Sequence, residues 1–334
     1  MSFDPNAAAQ PGSGVYGLPH SPEEAKVVLI PVPFEATCSY GGGTADGPEA
    51  IYEASKQVDL YDIDTGKPYE AGISMLPIPK QVREWSDRGR ELAEPIIESG
   101  GDADPKQLAE VNALSEKMND WVYTETKRWL GQGKRVGLIG GDHSTPFGCI
   151  KAHAEKYPGL GVLHLDAHAD LRNAYEGFTW SHASIMYNVV HKVPQVGKLV
   201  QVGIRDFAES EMNEIERSNG RIHTYFDARM SAEQAEGMNW REICDNIVSH
   251  LPKQVYLSFD IDGLDPTLCP NTGTPVPGGL SYPQACQLIA AVARANKQIV
   301  GLDLNEVAPG PDSEWDGNVA ARLLYKMIGW MLKT

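Results

Sequence analysis

Nowhere in the 334 residues does an uninterrupted apolar run approach about 18 residues, so no segment reads as a transmembrane helix. The opening residues MSFDPNAAAQPGSG have neither the basic start nor the apolar middle of a secretory signal, and the expectation is a soluble, cytoplasmic protein. Basic charge is scarce. The 29 Lys and Arg stand against 45 Asp and Glu, a net charge of −16 that provides no basic face for phosphate and makes nucleic acid a poor partner. Acidity of this kind suits solubility and the attraction of small cations. The five cysteines (Cys38, Cys149, Cys244, Cys269, Cys286) are odd in number and lack CxxC spacing, which argues against a disulfide framework or a zinc ribbon and for reduced thiols. No internal repeat is visible. The remainder, 42% hydrophobic, 22% charged and 8% aromatic, is ordinary globular composition, and the length fits two domains or one large α/β domain.

What the chain does have is alternation. Residues 1–26, rich in Ala, Gly, Pro and Ser, read as an N-terminal arm that is flexible unless docked. Residues 27–334 read as one catalytic domain, because no later segment has the composition of a linker and Gly100–Pro105 (GGDADP) reads as a loop between helices. Val27–Phe34 (VVLIPVPF) is a continuous apolar run of the kind buried on both faces of a parallel sheet. Arg135–Gly140 (RVGLIG), Gly161–Asp166 (GVLHLD), Leu199–Ile204 (LVQVGI), Val255–Asp260 (VYLSFD) and Gln298–Asp303 (QIVGLD) are similar. Helical patterns lie between them. The glycine-rich Ser39–Gly47 leads into a helix near Pro48–Lys56. An apolar stripe including Leu108, Val111, Met118 and Val122 marks the stretch from about Glu84 to Gly131. Trp240–His250, Tyr282–Arg294 and Asn318–Leu332 complete the helical set. Such alternation predicts an α/β fold with a parallel sheet covered by helices on both faces.

Three strand ends carry the chemistry. RVGLIG runs into Gly141-Asp142-His143-Ser144, GVLHL into Asp166-Ala167-His168-Ala169-Asp170, and VYLSF into Asp260-Ile261-Asp262. Open α/β sheets bind ligands beyond the carboxyl ends of their strands, so these segments are expected in one crevice. If the strand ends stay extended, Asp166, His168 and Asp170 point to one side, as do Asp260 and Asp262. So many buried carboxylates repel one another unless cations neutralise them. Imidazole and carboxylate donors without thiolate suit Mn²⁺, Ni²⁺, Fe²⁺ or Zn²⁺, and the number of aspartates points to two ions about 3.5–4 Å apart, bridged by carboxylates. One DxHxD alone could be a loop whose aspartates cap backbone amides, but three such segments at strand ends argue against that reading. His164, inside GVLHLD, reads as a core histidine or as a support behind a ligand.

GGDHS at 140–144, DAHAD at 166–170, SFDIDGLDP at 258–266 and LNEVAP at 304–309 resemble, in order, the signature set of the ureohydrolase family, which includes arginases and agmatinases. The likeness runs from about Val27 to the C-terminus. It implies an arginase-type three-layer α/β/α fold with a central, mostly parallel sheet of about eight strands, assembled as homotrimers or homohexamers. It also implies that His143, Asp166, Asp170 and Asp260 hold one Ni²⁺ or Mn²⁺ ion, and that Asp166, His168, Asp260 and Asp262 hold the other, with Asp166 and Asp260 bridging. Asp142 would orient its neighbour without being a ligand. Two ions sharing a water lower its pKa, and the resulting hydroxide attacks a guanidinium carbon, releasing urea with ammonia or an amine. Glu306 matches the family's substrate-binding Glu, and His182, in Trp180-Ser181-His182-Ala183, matches the histidine that carries protons to the leaving nitrogen. The catalytic set the resemblance implies is thus His182, Glu306 and Asp170.

The guanidino compound is set by the loops. Arg172 stands where arginases carry an Asn two positions beyond the last Asp of the motif, which demotes arginase. The pattern DLR…Y.G…SHA is similar to some agmatinases, whereas Ser39–Pro48 (SYGGGTADGP) departs from their Arg-bearing SxRPGxRxGP segment. ATCSYGGGTADGPEAI at 36–51, QVDLYDID at 57–64 and the extended N-terminus resemble the nickel-using guanidine hydrolase branch. The expectation is therefore free guanidine as substrate, with agmatine, cleaved to putrescine and urea, as the alternative. Tyr40, Trp180 and Trp315 would then be the substrate-binding aromatic walls of a small pocket, alongside Glu306 and His182. Two rivals belong to other classes. An inactive ureohydrolase-like partner subunit is disfavoured by the complete ligand set. A metal-dependent amide hydrolase or deacetylase on a related sheet would be favoured by one ion per subunit.

Overall fold

The computed structural model describes residues 3–102 and 104–334; positions 1 and 2 of the N-terminal arm and position 103 of the Gly100–Pro105 segment lie outside the described residues. One sheet of eight strands runs through the molecule: β1 (Val27–Val32), β2 (Ile73–Met75), β3 (Arg135–Gly140), β4 (Leu160–Leu165), β5 (Val196–Ile204), β6 (Ile222–Phe226), β7 (Gln254–Asp260) and β8 (Gln298–Asn305). Their order is β2-β1-β3-β8-β7-β4-β5-β6, and every neighbouring pair is parallel. The continuous apolar runs became the six inner strands because both of their faces are covered, and β1 and β4 are buried along their whole length. The edge strands β2 and β6 were not evident in the sequence. β2 has three residues, and β6 (IHTYF) is only partly buried after Ile222, so neither needed an apolar run.

Side chains alternate between two cores. Leu163 and Leu165 of β4 join Leu257, Phe259, Leu302 and Leu304 under the helices Trp240–Ser249, Tyr282–Arg294 and Trp315–Lys333. Leu160 and Val162 join Val136, Leu138 and Tyr256 under the helices Lys80–Glu98, Pro105–Gly131 and Phe147–Lys156. This is the three-layer α/β/α arrangement. Capping fixes where helices begin: Ser281 Oγ accepts from Gln284 N–H while the Gln284 side chain accepts from Ser281 N–H.

Part of the N-terminal arm is docked. Val15, Tyr16 and Leu18 are buried, and the Tyr16 O–H donates to the Ala321 carbonyl at 3.0 Å. The QVDLYDID segment is held by the same C-terminal helix: Tyr325 O–H donates to Leu60 O at 2.6 Å, and Lys326 Nζ lies 2.5 Å from Asp62 Oδ2. Burial alone would raise the Asp62 carboxyl, but Lys326 and the Thr65 N–H and O–H outweigh it and hold it below its ordinary value. Such a group adds stability above the unfolded carboxyl pKa and loses it as pH falls through the lowered folded value. Asp62→Asn is therefore expected to lower the melting temperature at pH 7 by the equivalent of about 1–2 kcal/mol. The deficit should shrink as pH is taken below about 4. Identical melting of the two proteins at pH 7 would contradict this assignment.

The strand order places the site. β3 and β4 follow one another in the chain but are separated in the sheet by β8 and β7, and the carboxyl ends of these four central strands open into one crevice.

Candidate active site

His143 follows β3, Asp166, His168 and Asp170 follow β4, Asp260 ends β7 and Glu306 follows β8. At Gly141, in the turn leaving β3, an added Cβ would lie 2.1 Å from the Phe34 carbonyl, so only glycine lets the segment reach His143 this way. The strand-end alternation expected from the sequence survives only in part. Asp166 Oδ1 accepts the His168 N–H at 2.6 Å and Asp260 Oδ1 accepts the Asp262 N–H at 2.8 Å, bonds that curl the backbone out of the extended form. Asp262 sits in a turn of 3-10 helix, Ile261–Gly263, and Asp170 is in the left-handed region at φ 54°.

The curled segments form two joined groups. His143 Nδ1 lies 3.0 Å from Asp166 Oδ2, 3.2 Å from Asp260 Oδ2 and 3.4 Å from Asp170 Oδ2. His168 Nδ1 lies 3.1 Å from Asp262 Oδ2 and 3.5 Å from Asp166 Oδ1. Asp166 thus turns one oxygen to each group. Asp260, expected to bridge as well, joins the first group through Oδ2 and turns Oδ1 to the Asp262 amide.

These distances test whether divalent cations fit. One imidazole nitrogen satisfies one acceptor, yet three carboxylate oxygens converge on His143 Nδ1. Burial, followed by the neighbouring charges, pushes the Asp170 and Asp260 carboxyls well above their ordinary range. Asp166 goes the other way: burial would raise it, but His164 and His143 hold it well below. The groups His143–His164–Asp166–Asp170 and Asp166–His168–Asp262 each gather donor atoms within 4.8 Å of one another. A buried set of imidazole and carboxylate donors this crowded fits divalent first-row ions.

Supports behind the site had been only partly foreseen. His164 Nε2 is 2.8 Å from Asp166 Oδ2, and Gln201 Nε2 donates to His164 Nδ1 at 3.1 Å, which assigns the proton to Nε2 and fixes Asp166 from behind. His143 Nε2 lies 3.0 Å from Ser258 Oγ, whose hydroxyl donates to Asp303 Oδ1 at 2.9 Å. Ser258, Asp303 and Gln201 were missed. The signal for Ser258 was its place two residues before Asp260, on the same side of the strand.

Glu306, at φ 62°, accepts the His143 N–H through Oε1 at 2.8 Å, while its buried Oε2 has no hydrogen-bond partner among the described residues. Burial first, then Asp260 and Asp142, push this carboxyl well above its usual range. Oε2 lies beside Gly273, where an added Cβ would come within 3.1 Å of it. The glycine-rich loop packs against the same point: Gly41 N donates to Gly273 O at 2.9 Å, and Glu35 Oε2 accepts from the Gly43 and Ala45 amides. Asp142 is fully buried, its Oδ1 taken by Ser144, and burial lifts it to about 6.

A cavity of about 170 Å³ adjoins the cluster; the buried Asp170 and His182 line it together with His168, as do the more exposed Arg172, Tyr175, Asp206 and Phe207. Burial, then the positive charges of His168 and His143, push His182 down to about 4, so its imidazole is neutral at pH 7. The three aromatics expected as walls are not brought here. Tyr40 is 84% exposed; Trp315 is 46% exposed, and its indole N–H donates to Thr267 O. Trp180 packs edge-on against Phe147 in a separate cleft, with Lys192 Nζ 3.9 Å above its ring. Each has the packing or solvent contact that a surface aromatic finds most cheaply. The aromatics that do line the cavity are Tyr175 and Phe207.

Comparison with known proteins agrees with this geometry. The Arginase family model matches residues 25–329. An N(1)-aminopropylagmatine ureohydrolase of Thermus thermophilus is 35% identical over 324 residues, covering 94% of each chain, and an agmatinase of Bacillus cereus is 28% identical, covering 92% of this chain and 93% of the relative. The solved agmatine ureohydrolase of Thermoplasma volcanium superposes with a TM-score of 0.73 at 23% identity, covering 94% of this chain and 92% of the other, a likeness of fold. A parallel eight-stranded sheet, aspartates and histidines gathered at its central strand ends, and a family match across nearly the whole length have one common explanation: the chain belongs to the arginase family.

Proposed function

We propose that the protein hydrolyses the guanidino group of a linear guanidinoalkylamine, of the agmatine or N1-aminopropylagmatine type, to urea and the free amine. The observation that carries this reading is the buried, partnerless Glu306 Oε2 beside a crowded His/Asp cluster: a carboxylate oxygen awaiting a cation, next to groups suited to divalent ions. The names of the similar proteins support the amine-tailed class. The expectation of free guanidine came from the resemblance of residues 36–51, 57–64 and the N-terminus to the guanidine hydrolases; the aromatic walls that would accompany it, Tyr40, Trp180 and Trp315, do not line this cavity.

The balance is simple. Water adds at the guanidinium carbon, the C–N bond to the alkyl nitrogen breaks, and the cation R–NH–C(NH₂)₂⁺ becomes R–NH₃⁺ and urea. Two divalent ions, Mn²⁺ or Ni²⁺, held by His143, Asp166, Asp170, Asp260, His168 and Asp262, would lower the pKa of a shared water and supply a nucleophile at neutral pH. Glu306 pairs with the guanidinium nitrogens in a charge-assisted contact and holds the carbon in place. His182, neutral and at the cavity wall, accepts a proton from the water side and passes it to the departing nitrogen. Asp170, buried between His143 and the cavity, keeps the first group closed towards the substrate.

The test is urea release after reconstitution with Mn²⁺ and Ni²⁺ separately, on agmatine, N1-aminopropylagmatine, arginine, 4-guanidinobutyrate and free guanidine. The highest kcat/KM is expected on an amine-tailed substrate; preference for free guanidine would overturn the reading. His182→Ala is expected to retain wild-type metal content and to lower kcat by about 10²-fold. An unaltered kcat and pH profile would remove the proton-transfer role.

A further inference from the structure

The cavity beside the cluster has one lining carboxylate that takes part in no ion pair among the described residues. Three acids line the cavity: Asp170, Asp206 and Glu211. Asp170 belongs to the His143 group. Glu211 is buried, with Oε1 accepting the Leu171 N–H at 2.9 Å and Oε2 accepting the Ala208 N–H at 2.8 Å, and Arg172 Nε forms an ion pair with Oε2 at 3.6 Å. Asp206 is exposed on the wall and takes part in none of the ion pairs among the described residues. Its neighbour Arg205 is committed elsewhere, its guanidinium donating to the carbonyls of Asp262, Leu264 and Val276.

The backbone of Asp206 is nonetheless fixed. Its N–H donates to Ala167 O at 3.1 Å, and the residue forms a parallel bridge with His168, so the free carboxylate stands one chain over from the second group of the site. Beside it, Phe207 is 39% exposed and Tyr175 lies under the Arg172 guanidinium at 4.9 Å, giving the wall an apolar surface. Arg172, the cation on this wall, is matched by Glu211, and Asp206 leaves an unmatched negative charge. The cavity beside the donor cluster thus offers one free acid next to apolar surface. That suits a substrate tail that carries an ammonium on a run of methylenes.

We propose that Asp206 binds the distal ammonium of the substrate and selects guanidinoalkylamines over guanidines with neutral or acidic tails. This rests on the reaction proposed above and names the group that sets its specificity. The experiment compares wild type with Asp206→Asn and Asp206→Glu on agmatine, n-butylguanidine and 4-guanidinobutyrate, after confirming equal metal content and melting temperature. In wild type, agmatine should be favoured over n-butylguanidine, which has the same chain without the amine. In Asp206→Asn the agmatine to n-butylguanidine ratio of kcat/KM should fall by about ten-fold, mostly through KM, and Asp206→Glu should restore part of it. An unchanged ratio in Asp206→Asn overturns the proposal while leaving urea release from agmatine, and so the reaction, intact. A wild type that prefers 4-guanidinobutyrate also overturns it, since Arg172 would then be the recognition group. Urea from free guanidine alone would instead overturn the reaction itself.

Discussion

Asp260→Asn is expected to reduce urea release to background and, at the same time, to raise the melting temperature of the metal-free protein. The two effects share a cause. Asp260 Oδ2 is one of the three carboxylate oxygens around His143 Nδ1, and removing its charge deprives the first group of a ligand for a cation. In the metal-free fold that same charge is a burden: burial, then Asp262 and Asp166, lift its folded pKa well above the ordinary carboxyl value. A carboxyl raised on folding contributes stability below its unfolded pKa and loses it as pH rises through the folded value, so at pH 7 the metal-free wild type bears the repulsion and the amide variant does not. The stability difference should shrink as pH falls towards the unfolded carboxyl pKa of about 4 and vanish below it, where both states are protonated. Metal content after gel filtration, urea assays and paired melting curves at two pH values read all three expectations. Activity and metal content equal to wild type would remove Asp260 from the site. A metal-free variant less stable than metal-free wild type would show that the crowding is not repulsive.

Glu306→Gln separates substrate binding from metal binding. The amide oxygen can still accept the His143 N–H, so the backbone at the β3 end should be undisturbed. What is lost is the negative charge behind Oε2, the partnerless atom beside Gly273. A guanidinium placed there would exchange a charge-assisted pair for a neutral contact with an amide that also presents N–H donors to a cation. We expect kcat/KM for the best substrate to fall by about 10²–10³-fold, with metal content equal to wild type. Guanidinium ion should also lose its competitive inhibition. A variant that lost metal together with activity would instead make Glu306 a support for His143, and one that kept full activity would exclude it from substrate binding.

Much of the fold was legible because a parallel sheet buries both faces of its inner strands, and the segments from Val27, Arg135, Gly161, Leu199, Val255 and Gln298 stand out as apolar runs. β2 and β6 were not legible because an edge is covered on one side only, and IHTYF reads as nothing in particular. In the site, the ligand-type residues stood out by chemistry and spacing, while their exact aim did not. Alternation assumed extended strand ends, whereas carboxylate-to-amide bonds at Asp166 and Asp260 curl the chain, and Asp170 reaches the cluster only through a left-handed backbone. Supports such as Gln201 and Asp303 come from strands whose sequences give no hint of them, because their role depends on which strand lies next to which. The aromatics failed for the same reason: Trp180 is two residues from His182 and still faces another cleft.

The position of β8 also sets when the site can exist. β8 lies between β3 and β7, although about 160 residues separate it from β3 along the chain, and Glu306 is its immediate continuation. During synthesis the segments bearing His143, Asp166 and His168 leave the ribosome long before the strand that completes their crevice. Until then β3 and β7 each present an open edge, the exposure that invites wrong pairing. A nascent chain lacking its last helix and β8 therefore has most of the donor-type side chains and no completed crevice to hold them. Conditions that slow release of the C-terminal segment are expected to yield more aggregated protein rather than a partly active enzyme.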